Sequence, residues 1–317
     1  MPSWRARSIA CWRGRGARDV RLLGIDLGGT KLLACGVDDD SGQAFRVREQ
    51  TGRSFGPDAA LAAITELAGW ARHALGGLDA IGIGFPGLVD HRRGVARSST
   101  MLDGWHDVAL AARVGAALGV PCAVDNDVNA AALHEHACRG APDLLYVSVG
   151  TGIGGALVLG GSLWRGRGGF AGELGHVTID RAGPPCACGR RGCVHHYASG
   201  TSIESVCRVA RGQLPAAPPR AVIVDAAAAL AVAIGSALNL LDVPLVVLGG
   251  GVAELGPAYV EAVAAHVRRE CFREIGELCE ISAARGGYDA GALGAIALAR
   301  DALAAHRQPC SPATRSS

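Results

Sequence analysis

The sequence predicts an α/β protein, and two observations carry that prediction. Strand-like apolar runs alternate with segments of helical periodicity along most of the 317 residues, which is the pattern of α/β proteins. A strand, a glycine-rich turn and a returning strand also occur twice, as LGIDLGGTKLLACGV from residue 23 and LYVSVGTGIGGALVL from residue 145. We therefore expect two similar lobes whose glycine turns face one cleft.

In the first half, the elements follow from periodicity and turn residues. The two runs around the first glycine turn read as a β-hairpin. Apolar residues at Leu61, Ile64 and Leu67, after Pro57, predict a helix. The continuous apolar run that ends at Phe85 predicts a buried strand. The predicted elements are strands at 21–27, 31–37, 43–50, 79–85 and 121–124 and helices at 57–75, 108–118 and 129–138.

The second half repeats this organisation around a less regular centre. A second hairpin has its glycine turn after Val149, and an apolar strand ends in a run of three glycines after Leu248. Between them, Gly183-Pro184-Pro185 argues against a regular strand. The predicted elements are strands at 144–149, 153–159, 243–248 and 280–283 and helices at 202–212, 221–241, 259–272 and 292–305.

Composition excludes several classes of protein. Hydrophobic residues make up 49% of the chain, too many for a wholly disordered protein. The net charge of +2 favours neither a nucleic acid nor a membrane as partner, and we count no apolar run of the ~18 residues that a membrane span requires. The Arg-rich residues 1–20 lack the apolar core of a secretory signal. We therefore expect a cytoplasmic protein, in which clustered cysteines are metal ligands before they are disulfides.

The first glycine turn, DLGGTK at 26–31, has the groups that a nucleotide phosphate site requires. Glycines let backbone N–H groups approach phosphate oxygens, and Lys31, the only lysine in the chain, adds positive charge. A carboxylate at the strand end can hold Mg²⁺ directly or through water. The alternative is a hairpin turn without a ligand. The candidate residues for ATP and Mg²⁺ are Asp26, Gly28, Gly29, Thr30 and Lys31.

Two further glycine clusters, at 150–155 and 249–251, also follow apolar strands. The first repeats the chemistry of DLGGTK, and the second offers a surface without side chains for a nucleoside. Neither a Walker A motif nor a glycine fingerprint between a strand and a helix is present, which argues against a dinucleotide site. The candidate ATP residues in these clusters are Gly150, Thr151, Gly152, Gly154, Gly249, Gly250 and Gly251.

The segment VDNDVN at 124–129 is a polar stretch between a predicted strand and a predicted helix. Asp125 or Asn126 can serve simply as the helix N-cap, but one cap does not require three further polar residues. A kinase needs one carboxylate to accept the proton of the acceptor hydroxyl and polar groups to orient that hydroxyl. Asp127 and Asn126 fit these two roles.

Three cysteines, Cys186, Cys188 and Cys193, lie within eight residues of a glycine-containing loop. Such thiolates suit tetrahedral Zn²⁺, and the fourth ligand must come from elsewhere. His176 is one candidate for it, and His195 and His196 compete. Free thiols or a redox pair are the alternative to a structural zinc.

With these residues in hand, the chain resembles the ROK family (repressors, open reading frames and sugar kinases). The resemblance covers residues 22–299, and the matching segments stand in the family's order. They are DLGGTK at 26–31, GIGFPGLVD at 82–90, VDNDVNAAALHE at 124–135, VSVGTGIGGAL at 147–157, GRGGFAGELGHVTID at 166–180, CACGRRGC at 186–193 and LGGGV at 248–252.

The resemblance implies a two-lobed, actin/hexokinase-like (RNase H-like) ATPase fold with a zinc-stapled loop. It implies ATP-dependent phosphorylation of a hexose or amino sugar at the C6 hydroxyl, with Mg²⁺, a structural Zn²⁺ and Asp127 as general base. His176 would be the fourth zinc ligand beside Cys186, Cys188 and Cys193. The implied sugar contacts are Gly87, Thr100, Asn126, Asp127, Glu173, His176 and His195.

One position departs from the family pattern and leaves the sugar open. Most sugar kinases of the family carry Glu two residues after the last cysteine, where this chain has His195. A carboxylate accepts hydrogen bonds from two hydroxyls, whereas an imidazole accepts at most one. Thr100, within SSTML at 98–102, resembles the N-acetylmannosamine kinase branch more than the glucokinases.

The resulting domain scheme has four parts. Residues 1–20 are expected to be a disordered basic extension, or an over-called start, with a nucleic-acid arm less favoured. The N-terminal lobe comprises 21–126 and 294–306, the C-terminal lobe comprises 127–293 with its zinc loop at 176–195, and 307–317 form a tail. The family resemblance also implies a homodimer.

Two alternatives to a sugar kinase remain. A sugar-responsive ROK-type transcriptional regulator would carry a DNA-binding domain ahead of the first strand, where this sequence has about 20 residues. A non-catalytic sugar-binding protein is the other alternative, and His195 keeps it open. The phosphoryl donor, ATP or polyphosphate, also stays open.

Overall fold

The computed structural model describes residues 20–41 and 44–307. The predicted basic extension, except residue 20, and the predicted tail, except residue 307, lie outside the described residues. The chain divides into two units, Met1–Ala130 with Gly291–Ser317 (unit 1) and Ala131–Ala290 (unit 2).

Unit 1 is built on a five-stranded sheet. Its strand order is β3-β2-β1-β4-β8, in which β1 pairs antiparallel with β2 and parallel with β4, and β4 pairs parallel with β8. The predicted hairpin around the first glycine turn is therefore confirmed. The strands of this unit are β1 (Arg21–Leu27), β2 (Lys31–Asp38), β3 (Ala44–Gln50), β4 (Ala80–Phe85), β5 (Leu88–Asp90), β6 (Val95–Ser98), β7 (His106–Val108) and β8 (Cys122–Asn126).

Helices cover both faces of this sheet. Alternate residues of β1 point to opposite faces, so Leu23 and Ile25 pack with α1 and α2, whereas Leu22 packs with the last helix, α9. A further helix, α3, starts directly after β8. The bounds of these helices are α1 (Pro57–Leu75), α2 (Leu110–Leu118), α3 (Asp127–Arg139) and α9 (Ala290–Arg307).

A small antiparallel sheet of β5, β6 and β7 is the element that the sequence analysis missed in unit 1. Each strand is only three or four residues long, too short for a clear alternation of apolar and polar residues. Trp105 comes between β6 and β7 in the sequence, and its side chain is buried. Its ring packs against that of Phe85, with centroids 4.7 Å apart.

Unit 2 repeats the sheet of unit 1. Its strand order is β11-β10-β9-β12-β13, with antiparallel pairing between β9, β10 and β11 and parallel pairing between β9, β12 and β13. The predicted internal repeat thus appears as one topology used twice. The strands are β9 (Leu144–Val149), β10 (Ile153–Leu159), β11 (Ser162–Trp164), β12 (Leu245–Gly249) and β13 (Glu280–Ala283).

The helices of unit 2 are α4 (His195–Ala198), α5 (Gly200–Val206), α6 (Arg220–Leu241), α7 (Pro257–Glu270) and α8 (Arg273–Leu278). Among the described residues, α6 alone is long and apolar enough to cross a membrane by length and composition. The sequence analysis counted no such run because Asp225 and Asp242 bound the continuous apolar stretch of this helix. This helix buries one stripe in the core of unit 2, including Leu230, Ile234 and Leu238, as a core helix does.

Two glycines allow the backbone of α9 to lie directly on the sheet of unit 1. A Cβ atom at Gly24 of β1 would overlap the carbonyl oxygen of Ala292, and one at Gly82 of β4 would overlap that of Ala295. The obstacles are backbone atoms, which cannot rotate away as a side chain can. Glycine is therefore required at both positions for this packing.

We expect Gly82→Ala to destabilise the protein by about 3 kcal/mol or more, because the added methyl group overpacks the contact between β4 and α9. The matched control is Gly69→Ala in α1, where a Cβ meets no atom within 4 Å. That change should add ~0.5–1 kcal/mol of helix stability. Urea unfolding of both variants checks this prediction, and equal stability of the two would contradict it.

Candidate active site and metal centre

Carboxylates of unit 1 collect at the carboxyl ends of its parallel strands. Asp26 of β1 is the register partner of Gly84 in β4, and Gly84 is the partner of Asp125 in β8. Neighbouring strands lie about 4.8 Å apart, so the two aspartates flank Gly84 in one row across the sheet. The carboxyl edge of a parallel sheet is where α/β proteins bind ligands.

Asp127 extends this row as the first residue of α3. Its Cα lies against β4, 3.2 Å from where a Cβ at Gly84 would stand. One carboxylate oxygen of Asp127 accepts a hydrogen bond of 3.0 Å from the Val128 N–H. The helix was predicted to start at 129, and its actual start makes Asp127 part of the first turn, where a negative charge is favoured.

Asn126 caps α3, so one of the two capping candidates is right. Its Oδ1 accepts hydrogen bonds from the backbone N–H groups of Val128 (2.9 Å) and Asn129 (3.2 Å). Its Nδ2 donates to the Gly87 carbonyl oxygen at 3.1 Å. Asn126 therefore ties the loop after β4 to the start of α3, in addition to any contact with a ligand.

Asp125 has a structural role that the sequence analysis did not identify. Its side chain is 2% exposed, and Oδ1 accepts hydrogen bonds from the Asn126 N–H (2.8 Å) and from Asn129 Nδ2 (2.9 Å). These bonds fix the turn between β8 and α3. The available signal was the spacing of Asp125 and Asn129, which lie four residues apart where β8 leads into α3.

The predicted residue Gly87 lies against the segment that leads to Thr100. A Cβ at Gly87 would overlap the Ser98 carbonyl oxygen, and the Ser99 hydroxyl donates to the Pro86 carbonyl oxygen at 2.6 Å. Thr100 follows this contact and is exposed. Ser99, which the sequence analysis did not single out, is thus the residue that joins the two loops.

The turn DLGGTK closes tightly between β1 and β2. The Gly28 N–H donates to the Lys31 carbonyl oxygen at 2.8 Å, and the Thr51 hydroxyl donates to the Gly28 carbonyl oxygen at 2.8 Å. Asp26 lies beside the start of α9, where a Cβ at Gly291 would come 2.8 Å from its carboxyl carbon. Carboxylate, glycine turn and lysine therefore share one end of β1 and β2.

In unit 2, the second and third glycine clusters meet. β9 and β12 are parallel neighbours, so the turns that follow them lie side by side. The Val149 carbonyl oxygen accepts a hydrogen bond of 2.9 Å from the Val252 N–H. Gly250, at φ +83°, packs so closely on the same oxygen that a Cβ atom at this position would lie only 2.5 Å from it. No atom lies within 4 Å of a Cβ at Gly150 or Gly152, so this turn is open.

A cavity of about 380 Å³ opens next to the third glycine cluster. It has apolar walls and two carboxylates, and no motif indicated it in advance, because its lining comes from four separate elements. The lining residues are Leu248, Ala253, Glu254, Gly256, Pro257, Val260, Glu261, Ala283 and Ala284.

Glu173 and His176 lie at a tight turn that is fixed to β10. The Gly155 N–H donates to the Gly172 carbonyl oxygen at 2.8 Å, and Gly175 packs so closely on Ile153 that a Cβ would overlap its carbonyl oxygen. His176 presents Nε2 to the Glu173 carboxylate, 3.9 Å away, and Nδ1 to the cysteine loop.

The predicted zinc ligands come together. The ligand atoms of His176, Cys186, Cys188 and Cys193 all lie within 4.8 Å of one another. The Cys186 Sγ is 3.5 Å from His176 Nδ1, and the Sγ atoms of Cys188 and Cys193 are 3.5 Å apart. Three sulfurs and one imidazole nitrogen at this spacing are a tetrahedral zinc ligand set. A second group, defined by the same limit, joins Cys186 to His195 and His196.

The protein environment prepares some of these groups for a metal. The Arg190 N–H lowers the pKa of Cys188 to about 6, so this residue is largely thiolate at neutral pH. Burial raises the pKa of Cys193 to about 12, and a metal ion must displace that proton. Burial and the neighbouring His196 and His176 lower the pKa of His195 to about 4, which leaves a neutral imidazole.

We expect Asn126→Ala to lower the free energy of unfolding by ~1 kcal/mol more than Asn126→Ser does. Serine can still accept the hydrogen bonds at the start of α3, whereas alanine cannot, and both variants lose the bond to Gly87. Urea unfolding compares them. Equal stabilities would mean that the cap contributes nothing.

Comparisons with known proteins agree on one family. A family model described as the ROK family matches residues 22–302. The glucokinase of Thermotoga maritima is 30% identical over 315 residues, which cover 90% of this chain and 98% of that protein. The N-acetylmannosamine kinase of Salmonella typhimurium is 34% identical over 303 residues, 89% of this chain and 99% of that protein.

Solved structures agree as well. A ROK hexokinase from Thermus thermophilus has a TM-score of 0.74 and 36% identity, over 88% of this chain and 98% of that one. A ROK family glucokinase from Streptomyces griseus, in complex with glucose and AMPPNP, has a TM-score of 0.72 and 26% identity, over 89% of this chain and 99% of that one. A ROK family transcriptional regulator at 23% identity, with a TM-score of 0.79 over 90% of this chain and 78% of that one, shares the fold.

The family model spans most of the chain, and relatives at 30% identity or more match along nearly their whole length. The expected two-lobed α/β fold is thereby confirmed. The protein belongs to the ROK family.

Proposed function

We propose that this protein is an ATP-dependent kinase that phosphorylates the C6 hydroxyl of a hexose or amino sugar. The observation that carries the proposal is the position of Asp127, a carboxylate at the carboxyl edge of the unit 1 sheet, next to Asn126. The similarity to a glucokinase and an N-acetylmannosamine kinase over nearly their whole length supports it.

In this proposal, Asp127 acts as the general base. It accepts the proton of the sugar C6 hydroxyl while the hydroxyl oxygen attacks the γ-phosphorus in line. The bond between the γ-phosphorus and its bridging oxygen breaks, and ADP leaves with that oxygen. The Val128 N–H, which already donates to Asp127, holds the carboxylate in one orientation.

The nucleotide binds through backbone groups of the glycine turns. Both turns, at 28–31 and 150–154, offer backbone N–H groups other than those of Gly28 and Gly150, which donate to the carbonyl oxygens of Lys31 and Gly152. The Thr30 and Thr151 hydroxyls add donors, and Lys31 offsets phosphate charge. Mg²⁺, when bound, neutralises the charge that develops on the phosphates. The Asp26 carboxylate fits that cation by its oxygen donors and its position at the strand end. The cavity beside Gly249 to Gly251 has the size and apolar walls of a nucleoside site.

Several loops carry the residues that contact the sugar hydroxyls in this proposal. Asn126 and Gly87 are already joined by a hydrogen bond, and Thr100 follows the loop that packs on Gly87. Glu173 and His176 are adjacent on the turn fixed to β10. His195 lies beside His176, with ring centroids 5.6 Å apart. It stands where most sugar kinases of the family have a glutamate, which accepts hydrogen bonds from two hydroxyls, whereas an imidazole accepts at most one. His195 therefore selects the sugar in this proposal.

We further propose a structural Zn²⁺ on His176, Cys186, Cys188 and Cys193. These residues fit a zinc ion, because their four ligand atoms lie within 4.8 Å of one another. A metal on Nδ1 of His176 leaves Nε2 for a hydrogen bond to Glu173 or to a sugar hydroxyl. The zinc thus orients a residue of the proposed sugar site.

A sugar-responsive regulator is the second candidate, since a ROK family transcriptional regulator has the same fold. A DNA-binding titration of the full chain, with and without sugar, separates it from the kinase. Sugar-sensitive DNA binding without phosphoryl transfer would favour the regulator.

The kinase proposal predicts ADP formation that depends on sugar. The assay offers Mg-ATP with glucose, mannose, fructose, N-acetylglucosamine, N-acetylmannosamine or aminoglucoses, and repeats each sugar with polyphosphate. Asp127→Asn should lower kcat by about 10²–10⁴-fold, the usual worth of a general base, while sugar binding by calorimetry persists. Near-normal turnover of that variant would remove Asp127 from its role, and binding without turnover by the unmodified protein would favour a non-catalytic sugar-binding protein.

The zinc proposal predicts that chelation exposes the cysteine loop to trypsin. Arg181, Arg190 and Arg191 are exposed in this loop, and its ends are held together by the metal ligands. Removal of zinc should therefore speed cleavage after these arginines, because structural zinc contributes directly to local folding. Mass spectrometry of the fragments measures the rate. Zinc added back should restore resistance, and unchanged cleavage without metal would refute the structural role.

A further inference from the structure

Cys186 belongs to two metal-ligand groups at once. Its sulfur lies with His176, Cys188 and Cys193 in the first group and with His195 and His196 in the second. The two groups are distinct, since neither His195 nor His196 meets the 4.8 Å limit with all four ligands of the first. One ion at the first position therefore leaves His195 and His196 without a role in its coordination.

Of the two printed distances in the second group, one matches the separation of ligands around a single metal ion and the other is shorter. Zinc at about 2.3 Å from sulfur and about 2.0–2.1 Å from nitrogen, in tetrahedral geometry, sets its ligands about 3.4–3.6 Å apart. The Cys186 Sγ is 3.6 Å from His195 Nε2, and the Nε2 atoms of His195 and His196 are 3.1 Å apart. In the first group, the distance from the Cys186 Sγ to His176 Nδ1 is similar, at 3.5 Å.

We propose that the loop binds two zinc ions, the second held by Cys186, His195 and His196, with the Cys186 thiolate bridging both. A thiolate sulfur has enough lone pairs to bind two cations. The second ion has three protein ligands, so water fills its fourth position, as in zinc sites that keep one position open.

The charges of the loop accommodate two cations. Binding releases the thiol protons of Cys186, Cys188 and Cys193 that remain in the metal-free protein, and the three thiolates then offset most of the charge of two Zn²⁺. The carboxylate of Glu173, 3.9 Å from His176, adds a further negative charge. His195 and His196 bind through Nε2, which leaves Nδ1 of His195 for the sugar contact proposed above. No electron transfer takes part in the assembly.

Metal stoichiometry tests the proposal. Purified full-length protein is loaded with zinc, passed over a chelating resin to remove weakly held ions, and analysed by native mass spectrometry and elemental analysis. We expect two zinc ions per chain in the unmodified protein and one in His196→Ala. The control His266→Ala, which removes a histidine of unit 2 that belongs to neither metal group, should retain two. A single zinc in the unmodified protein, or two in His196→Ala, would overturn the proposal.

A second measurement on the unmodified protein does not depend on the folding of any variant. Cobalt(II) is titrated into the metal-free chain and followed by electron paramagnetic resonance. The signal should grow with the first equivalent and fall with the second, because a bridging thiolate couples the spins of the two ions. A signal that rises through both equivalents would mean two sites without a shared ligand. A signal that stops rising after the first equivalent would mean that one ion binds, either beside His176 or beside His195. Either result would exclude the bridge.

Discussion

Parallel pairing of β1, β4 and β8 is the constraint on which the proposed chemistry depends. It aligns Asp26, Gly84 and Asp125 in one row, and the helix that follows β8 carries Asp127 just beyond that row. The helix α9 lies directly on two of these strands, which Gly24 and Gly82 permit. Residues that touch no ligand thus determine where the carboxylates stand.

The same arrangement serves a different purpose in unit 2. There, the parallel pair of β9 and β12 brings two glycine turns together instead of two carboxylates. The turn of His176 attaches to the neighbouring strand, β10, and the cysteine loop pairs with the segment that follows this turn. One topology therefore supports a row of carboxylates in one unit and glycine turns with a Cys/His cluster in the other.

The sequence predicted most of the elements and the clustering of His176 with the three cysteines, because hairpins, apolar runs and cysteine spacing are local signals. It did not predict the sheet of β5 to β7, whose short strands are stabilised by Trp105 and Phe85 rather than by their own pattern. The start of α3 was misplaced because Asn126 caps the helix from within the motif. The cavity beside Gly249 and the second Cys/His group around Cys186 arise from residues that are distant along the chain or shared between groups, and no local pattern carries that information.

The solitary lysine gives the molecule an unusual chemical handle. Lys31 opens β2 at the end of the DLGGTK turn, and every other basic side chain with a fixed charge is a guanidinium. Reagents that acylate primary amines will therefore find a single side-chain target, apart from the amino terminus. A fluorophore or cross-linker attached there would report on the first glycine turn without any engineered residue.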